Sequence, residues 1–232
     1  MNEERLSSLK SYILGAWFIK IRLISSRRQL WAKELSIIHI ENAALQIRKI
    51  CEMLSYMSLA MAKFNGYEAP KSLKGYEVGR VIKSLNAKDE LKFPRFARLL
   101  KNEGSDDWSL NIDGIQDEDL VRIKLIHERT HRALHEISPF EEIPHSEDAE
   151  SFLKTSLNAI RLDHQWLWNR FWQHALMIDD KMLFIDLGDN TSNSRPTIIK
   201  YASLYDGEIL VDFDPDLLSD FTGKIDWNDY TE

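Results

Sequence analysis

Apolar residues return every three or four positions along much of this chain, and where they do so the spacing predicts helices. From Ser36 to Phe64 the residues Ile40, Ala43, Ile47, Ile50, Leu54, Met57, Met61 and Phe64 form one unbroken seam, the longest helix in the pattern. Asn2 to Trp31 repeats the spacing with Leu6, Leu9, Ile13, Ala16 and Trp17, as one helix or as two divided at Ser25-Ser26. A central helix begins near Gln116. With Leu120 set at zero and a step of about 100° per residue, Leu120, Ile123, Ile126, Ala133, Leu134 and Ile137 fall within an arc of roughly 140°. Ser138-Pro139 closes that helix, because proline lacks the N–H donor and biases its predecessor away from helical dihedrals. His145 to Asp179 predicts another long helix, whose Trp166, Trp168, Phe171 and Trp172 read as core or dimer seam rather than a base-stacking platform. Between these, Lys74 to Leu85 reads as a shorter helix, Lys88 to Leu100 is broken at Phe93-Pro94, and Gly104 to Asp113 reads as a loop.

After Asp179 the texture changes. Met182 to Leu187 and Pro196 to Tyr201, joined by Gly188 to Arg195, predict a β-hairpin, and Glu208 to Phe213 adds a third strand. A hairpin alone is marginal in water, so it packs on the helices or pairs with a second copy. The expected class is therefore mainly α, an antiparallel helical bundle with a small C-terminal antiparallel β-hairpin or meander. The expected layout is a bundle over 1–180, a β-appendage over 181–213 packed on it, and an acidic tail over 214–232.

Charge changes this picture only when it is divided. The net charge is −7, but from Tyr205 to Glu232 nine acidic residues stand against Lys224, so that stretch holds −8 and the rest of the chain +1. A near-neutral body with local clusters such as Arg22, Arg27, Arg28 and Lys33 can hold a phosphate backbone, which a uniformly acidic one could hardly do. The single cysteine, Cys51, lies on the apolar side of its helix, forms no internal disulfide and fits a reducing compartment. Tyr12 to Leu23 is too short to span a bilayer and is interrupted by Lys20 and Arg22, so the expectation is a cytoplasmic protein without a membrane partner.

The candidate chemistry sits on the central helix. On the wheel above, His135, Arg132 and Arg129 land at about 60°, 120° and 180°, opposite the apolar stripe. Charged residues there are often no more than a solvated face. Alternatively, His127-Glu128-Arg129-Thr130-His131 spells the His-Glu-x-x-His pattern of zinc hydrolases. Arg129 stands where such helices carry an aliphatic residue, and His135 is too far along the helix to join the other two imidazoles on one ion. A third ligand would come from elsewhere, Glu147 or Glu150 being conceivable.

A third reading starts from Arg129 and His135 at the end of a helix that runs into Leu-His-Glu-Ile-Ser-Pro-Phe. This resembles the Arg-x(4–6)-His motif of HEPN (higher eukaryotes and prokaryotes nucleotide-binding) domains. Ile40 to Glu52 resembles the long helix that, in such bundles, brings acidic and basic side chains towards the Arg/His pair. The likeness spans roughly residues 36–178. It implies an all-helical bundle acting as a dimeric, metal-independent endoribonuclease of toxin or defence type. Thr130 departs from the Asn, Asp or His usual after the motif arginine.

On that resemblance Arg129 and His135 are the expected catalytic residues, with Arg132, Thr130 and Arg48 on the RNA and Glu41 and Glu52 in support. His135 would move protons and Arg129 would stabilise the phosphorane as the 2′-hydroxyl attacks. No cofactor is expected. The expected partners are RNA, a second copy of the chain, and an antitoxin or regulatory protein. The rival class is the same fold with an inactive site, a module that binds RNA, nucleotide or protein. Lying on a polar face, Arg129 and His135 are expected to be replaceable by alanine at little cost to folding.

Overall fold

The computed structural model describes residues 3–66, 78, 81, 94–101, 108–112, 117–135, 146–178, 181–188, 197–203 and 209–212. These form four long helices and an antiparallel sheet. Helix α1 (Glu3–Leu30) and helix α2 (Ile37–Phe64) make a hairpin, followed by β1 (Arg95–Lys101), β2 (Trp108–Ile112), α3 (Asp117–His135) and α4 (Ser146–Phe171). The chain ends in a meander of β3 (Gln173–Ile178), β4 (Lys181–Asp186), β5 (Thr197–Ser203) and β6 (Ile209–Asp212). The class is mainly helical with an antiparallel sheet.

The apolar periodicity locates the core. Leu9, Tyr12, Ile13, Leu23 and Leu30 of α1 meet Ile40, Ile47, Ile50, Leu54 and Met57 of α2, all buried. Leu120, Ile123 and Ile126 of α3 and Ile160, Leu167 and Phe171 of α4 join the same cluster. Gly15 permits close approach of α1 and α2, since a Cβ there would lie 2.5 Å from Cγ of Met57. Ser25-Ser26 does not divide α1: the Ser26 hydroxyl donates back to the Arg22 carbonyl at 2.8 Å, so the helix absorbs its polar group without breaking. Cys51 is fully buried, as its position on the seam implies. No helix among the described residues is long and apolar enough to cross a membrane.

Three expectations change. The segments read as a broken stretch at Lys88 to Leu100 and a loop at Gly104 to Asp113 contain β1 and β2, paired from Ala97↔Ile112 to Lys101↔Trp108. The helix expected to reach Asp179 ends at Phe171, and β3 begins two residues later. His174 Nδ1 donates to the Phe171 carbonyl at 2.9 Å, and Trp172 Nε1 donates to the Gly188 carbonyl at 3.0 Å, so side chains from the sheet close the helix end. The sheet is larger than a hairpin. Its order is β2-β1-β3-β4-β5-β6, antiparallel at every pairing, and it draws strands from both sides of residue 181. The predicted pairing of the β4 and β5 segments is present, with Met182 opposite Tyr201 and Phe184 opposite Ile199. The helix expected at Lys74 to Leu85 lies outside the described residues except for Val78 and Val81, both helical and buried. Ser138-Pro139 and the 214–232 tail also lie outside them.

Candidate functional site

The line of Glu41, Arg48 and Glu52 on α2 turns its C-terminal half towards α3. Arg48 Nε donates to Glu52 Oε1 at 3.1 Å, one helical turn along, and Lys49 Nζ donates to Glu52 Oε2 at 2.7 Å. Across the helix pair, Arg48 Nη1 reaches His131 Nδ1 at 2.9 Å, joining residues 83 apart in sequence. A guanidinium can only donate, so His131 accepts at Nδ1, and a neutral His131 carries its proton on Nε2. His127 lies one turn back, with Nε2 3.7 Å from Glu52 Oε1, a charge contact longer than a hydrogen bond. From α1, Arg22 Nη1 donates to Gln46 Oε1 at 2.7 Å. Arg22, Lys49 and Glu52 also line a cleft of about 360 Å³ between α1 and α2, with Ser11, Phe18 and Tyr56.

The electrostatics of this cluster separate its members. Burial alone would raise the Glu52 pKa, but hydrogen bonds and charge from Lys49 and Arg48 outweigh it and hold the carboxyl below its ordinary value. His127 is also lowered, first by burial and then by the Arg48 charge, with Glu52 opposing. It is therefore neutral near pH 7, with a lone pair free to take a proton. The Arg22 guanidinium is lowered by burial against the attraction of Glu52 and still carries its charge.

The residues expected from the Arg/His pattern are distributed differently. Arg129 Nη1 donates to both carboxylate oxygens of Asp163 on α4, at 2.7 and 2.6 Å. The Asp163 side chain is 3% exposed and that of Arg129 41%. Burial raises the Asp163 carboxyl, against the pull of Arg129 and then Arg122. Arg129 is thus tied into the packing of α3 on α4, and the expectation that alanine there leaves folding untouched is revised. Thr130, expected on the RNA, is fully buried, its hydroxyl donating to the Ile126 and His127 carbonyls at 2.9 and 3.0 Å. Arg132 is exposed, with no ion-pair partner among the described residues. Glu41 is half-buried and makes no described contact with the cluster. His135 is the last residue of α3, and its side chain lies outside the described residues.

The His-Glu-x-x-His reading fares poorly on geometry. Glu128 turns away to an exposed pair with Lys124 at 3.6 Å, and Arg48 places a cation on the His131 nitrogen that a metal would share the ring with. Among the described residues no group of three or more His, Cys, Asp or Glu is arranged to hold an ion. The side chains of Glu147 and Glu150 lie outside the described residues.

Two signals for the actual pairing are present in the sequence. On the α3 wheel His127 and His131 fall within about 20° of the Leu120 line, at the edge of the apolar arc, where His127 is half-buried and His131 exposed. Asp163 falls in an apolar stripe with Ile160, Leu167 and Phe171, where a carboxylate needs a buried partner. Scans of protein-family models and searches among curated proteins and solved structures find no match to this chain. Its chemistry is therefore argued from these side chains alone.

Proposed function

We propose that the protein is a metal-independent endoribonuclease of the HEPN-like kind, with its reacting groups on the face shared by α2 and α3. The supporting observation is the convergence of Arg48, Glu52, His127 and His131 from two helices, with Arg48 bridging to His131 at 2.9 Å. Attack of a 2′-hydroxyl on the adjacent phosphorus needs a group that takes the hydroxyl proton, one that protonates the leaving 5′-oxygen, and a cation on the phosphorane. His127, neutral near pH 7, suits the first role. For the second, His131 would act as the imidazolium, giving its Nε2 proton to the leaving 5′-oxygen and returning to the neutral ring whose Nδ1 accepts from Arg48. Arg48 suits the third, because contacts with Glu52 and His131 use only part of its five N–H donors. Glu52 holds Arg48 and Lys49 in place, and Arg132 extends the cationic surface. A homodimer and a neutralising antitoxin or regulatory protein belong to the same reading.

One observation favours the rival class. Arg129, the arginine of the motif, is held by Asp163, and Thr130 beside it is buried, as in a fold that keeps its architecture and binds without cutting. The test is cleavage of a broad single-stranded RNA panel in excess EDTA. The nuclease leaves 2′,3′-cyclic phosphate ends, spares RNA with a 2′-deoxy residue at the cut, and slows at least about 10²-fold in His127→Ala and in Arg48→Ala. Protein that binds this RNA tightly and never cuts it belongs to the regulatory class.

A further inference from the structure

A second concave site lies between the C-terminal end of α1 and the C-terminal part of α4. It has a volume of about 430 Å³ and is lined by Arg27, Trp31, His164, Gln165, Trp168 and Asn169. Trp31 is 45% exposed, unusual for so large an apolar side chain, yet it is held in place. Arg161 lies over its ring at 5.4 Å while donating to the Leu30 carbonyl from Nε at 3.1 Å and Nη2 at 2.7 Å. The His164 ring meets Trp31 in a T-shaped contact at 5.3 Å. Trp168 forms the opposite wall, stacked on Trp172 at 4.0 Å and 10° and covered by Arg27 at 5.2 Å. Arg27 remains exposed and has no acidic partner among the described residues.

The polar groups of the pocket are few and of one kind. Gln165 and Asn169 bring exposed amides, each offering both donors and an acceptor. His164 is buried, and its Nε2 donates to the Leu23 carbonyl at 3.0 Å, which leaves Nδ1 as an acceptor without a partner. Burial and then the Arg27 charge hold this imidazole below its ordinary pKa, with the Leu23 hydrogen bond opposing, so the cation of the pocket is Arg27 and not the histidine. An anchored, half-open indole offers a planar guest a surface to stack on. Amides beside it read hydrogen-bonding edges, and a free guanidinium holds an anion.

We propose that this pocket binds a nucleobase with its attached phosphate, the base stacked on Trp31, its edge met by Gln165 and Asn169, and the phosphate held by Arg27. The ligand is either a free mononucleotide or one residue of a single-stranded RNA. Only the second source rests on the reading of the protein as an RNA-cleaving enzyme.

Calorimetric titration of the full chain with the four nucleoside monophosphates, the corresponding nucleosides and a six-residue 2′-deoxy oligonucleotide tests this. Saturable binding is expected, weakened at least about tenfold by Trp31→Ala and restored in part by Trp31→Phe. Removing the phosphate from the ligand should weaken binding to the native protein and make little difference to Arg27→Ala. Binding of monophosphates as tight as that of the oligonucleotide identifies a free nucleotide, and binding of the oligonucleotide alone identifies an RNA strand. Arg27 is exposed, so Arg27→Ala should melt with the native protein, and Trp31→Phe, which keeps a ring against His164 and Arg161, controls for the packing lost in Trp31→Ala. No saturable binding of any of these ligands, or binding indifferent to Trp31→Ala, overturns the proposal. Binding in a protein that never cuts RNA overturns only the nuclease reading, and RNA cutting without nucleotide binding overturns only the pocket.

Discussion

Helix α3 carries polar groups on two sides, and the two are built differently. Towards α4, Arg129 closes on Asp163 with both carboxylate oxygens engaged and the acid almost wholly buried. At the helix–sheet junction His174 is sealed in the same way, fully enclosed and spending its one N–H on the Phe171 carbonyl. Towards α2, by contrast, Arg48 divides its donors between Glu52 and His131, Glu52 also takes Lys49, and all of these groups keep access to water. Asp163 and His174 can only hold structure, because any change in their charge must be met inside the protein. Open groups can exchange protons and ligands at little cost, which is what chemistry on RNA requires.

The largest expected effect probes the sealed side. Burial lowers the His174 pKa to about 4, against the Phe171 hydrogen bond and Asp186, whereas an unfolded histidine titrates near 6.5. The unfolded chain therefore takes up this proton first as pH falls, and the stability linked to it is complete above about 6.5 and lost on the way down to about 4. The loss is about 3 kcal/mol. Urea unfolding at intervals across this window should show the slope, and His174→Gln should flatten it. An unchanged slope in the variant would mean that His174 is not the sealed group.

Next is Arg129→Ala, which leaves the buried Asp163 carboxylate without its partner. A fully buried pair broken this way costs about 3–5 kcal/mol, and the 41% exposure of Arg129 reduces the expectation to about 2 kcal/mol. A cost below about 0.5 kcal/mol would remove the distinction between the two sides and return Arg129 to the candidate catalytic residues.

The open side should respond in the opposite sense. Arg48→Ala is expected to cost less than about 1 kcal/mol in urea unfolding, because Glu52 keeps Lys49 as a partner and some access to water, while the RNA cleavage proposed above falls far more. A stability loss equal to that of Arg129→Ala would mark Arg48 as another structural tie. The smallest effect is Lys49→Ala, a few tenths of a kcal/mol from an exposed pair, further reduced by salt.

Read from the sequence alone, α1, α2 and α3 are legible nearly to their ends, because each buries one continuous apolar stripe and the 3.6-residue period fixes which face that is. The β4 and β5 segments are legible for another reason, their β-branched and aromatic content on either side of a connection rich in Gly, Asn and Ser. The end of α4 is not, since Trp166, Leu167, Phe171, Trp172, Ala175 and Leu176 suit a buried helix or a buried strand alike, and the choice falls to a hydrogen bond from His174 and to the neighbouring strand. Strands β1 and β2 are hidden likewise, because β1 carries Arg95, Arg98 and Lys101, β2 is short, and β1 finds its second partner in β3, far along the chain.

The polar partners show the division most clearly. Periodicity places Arg48 and Glu52 on one line of α2 and sets Arg129 apart from His127 and His131 around α3. It cannot say that Asp163, 34 residues on, closes over Arg129, or that His131 meets Arg48 from 83 residues away. Those pairings depend on how α2, α3 and α4 cross and on the rotation of each about its axis, which are set by the packing of all their apolar side chains together and by no local stretch of sequence.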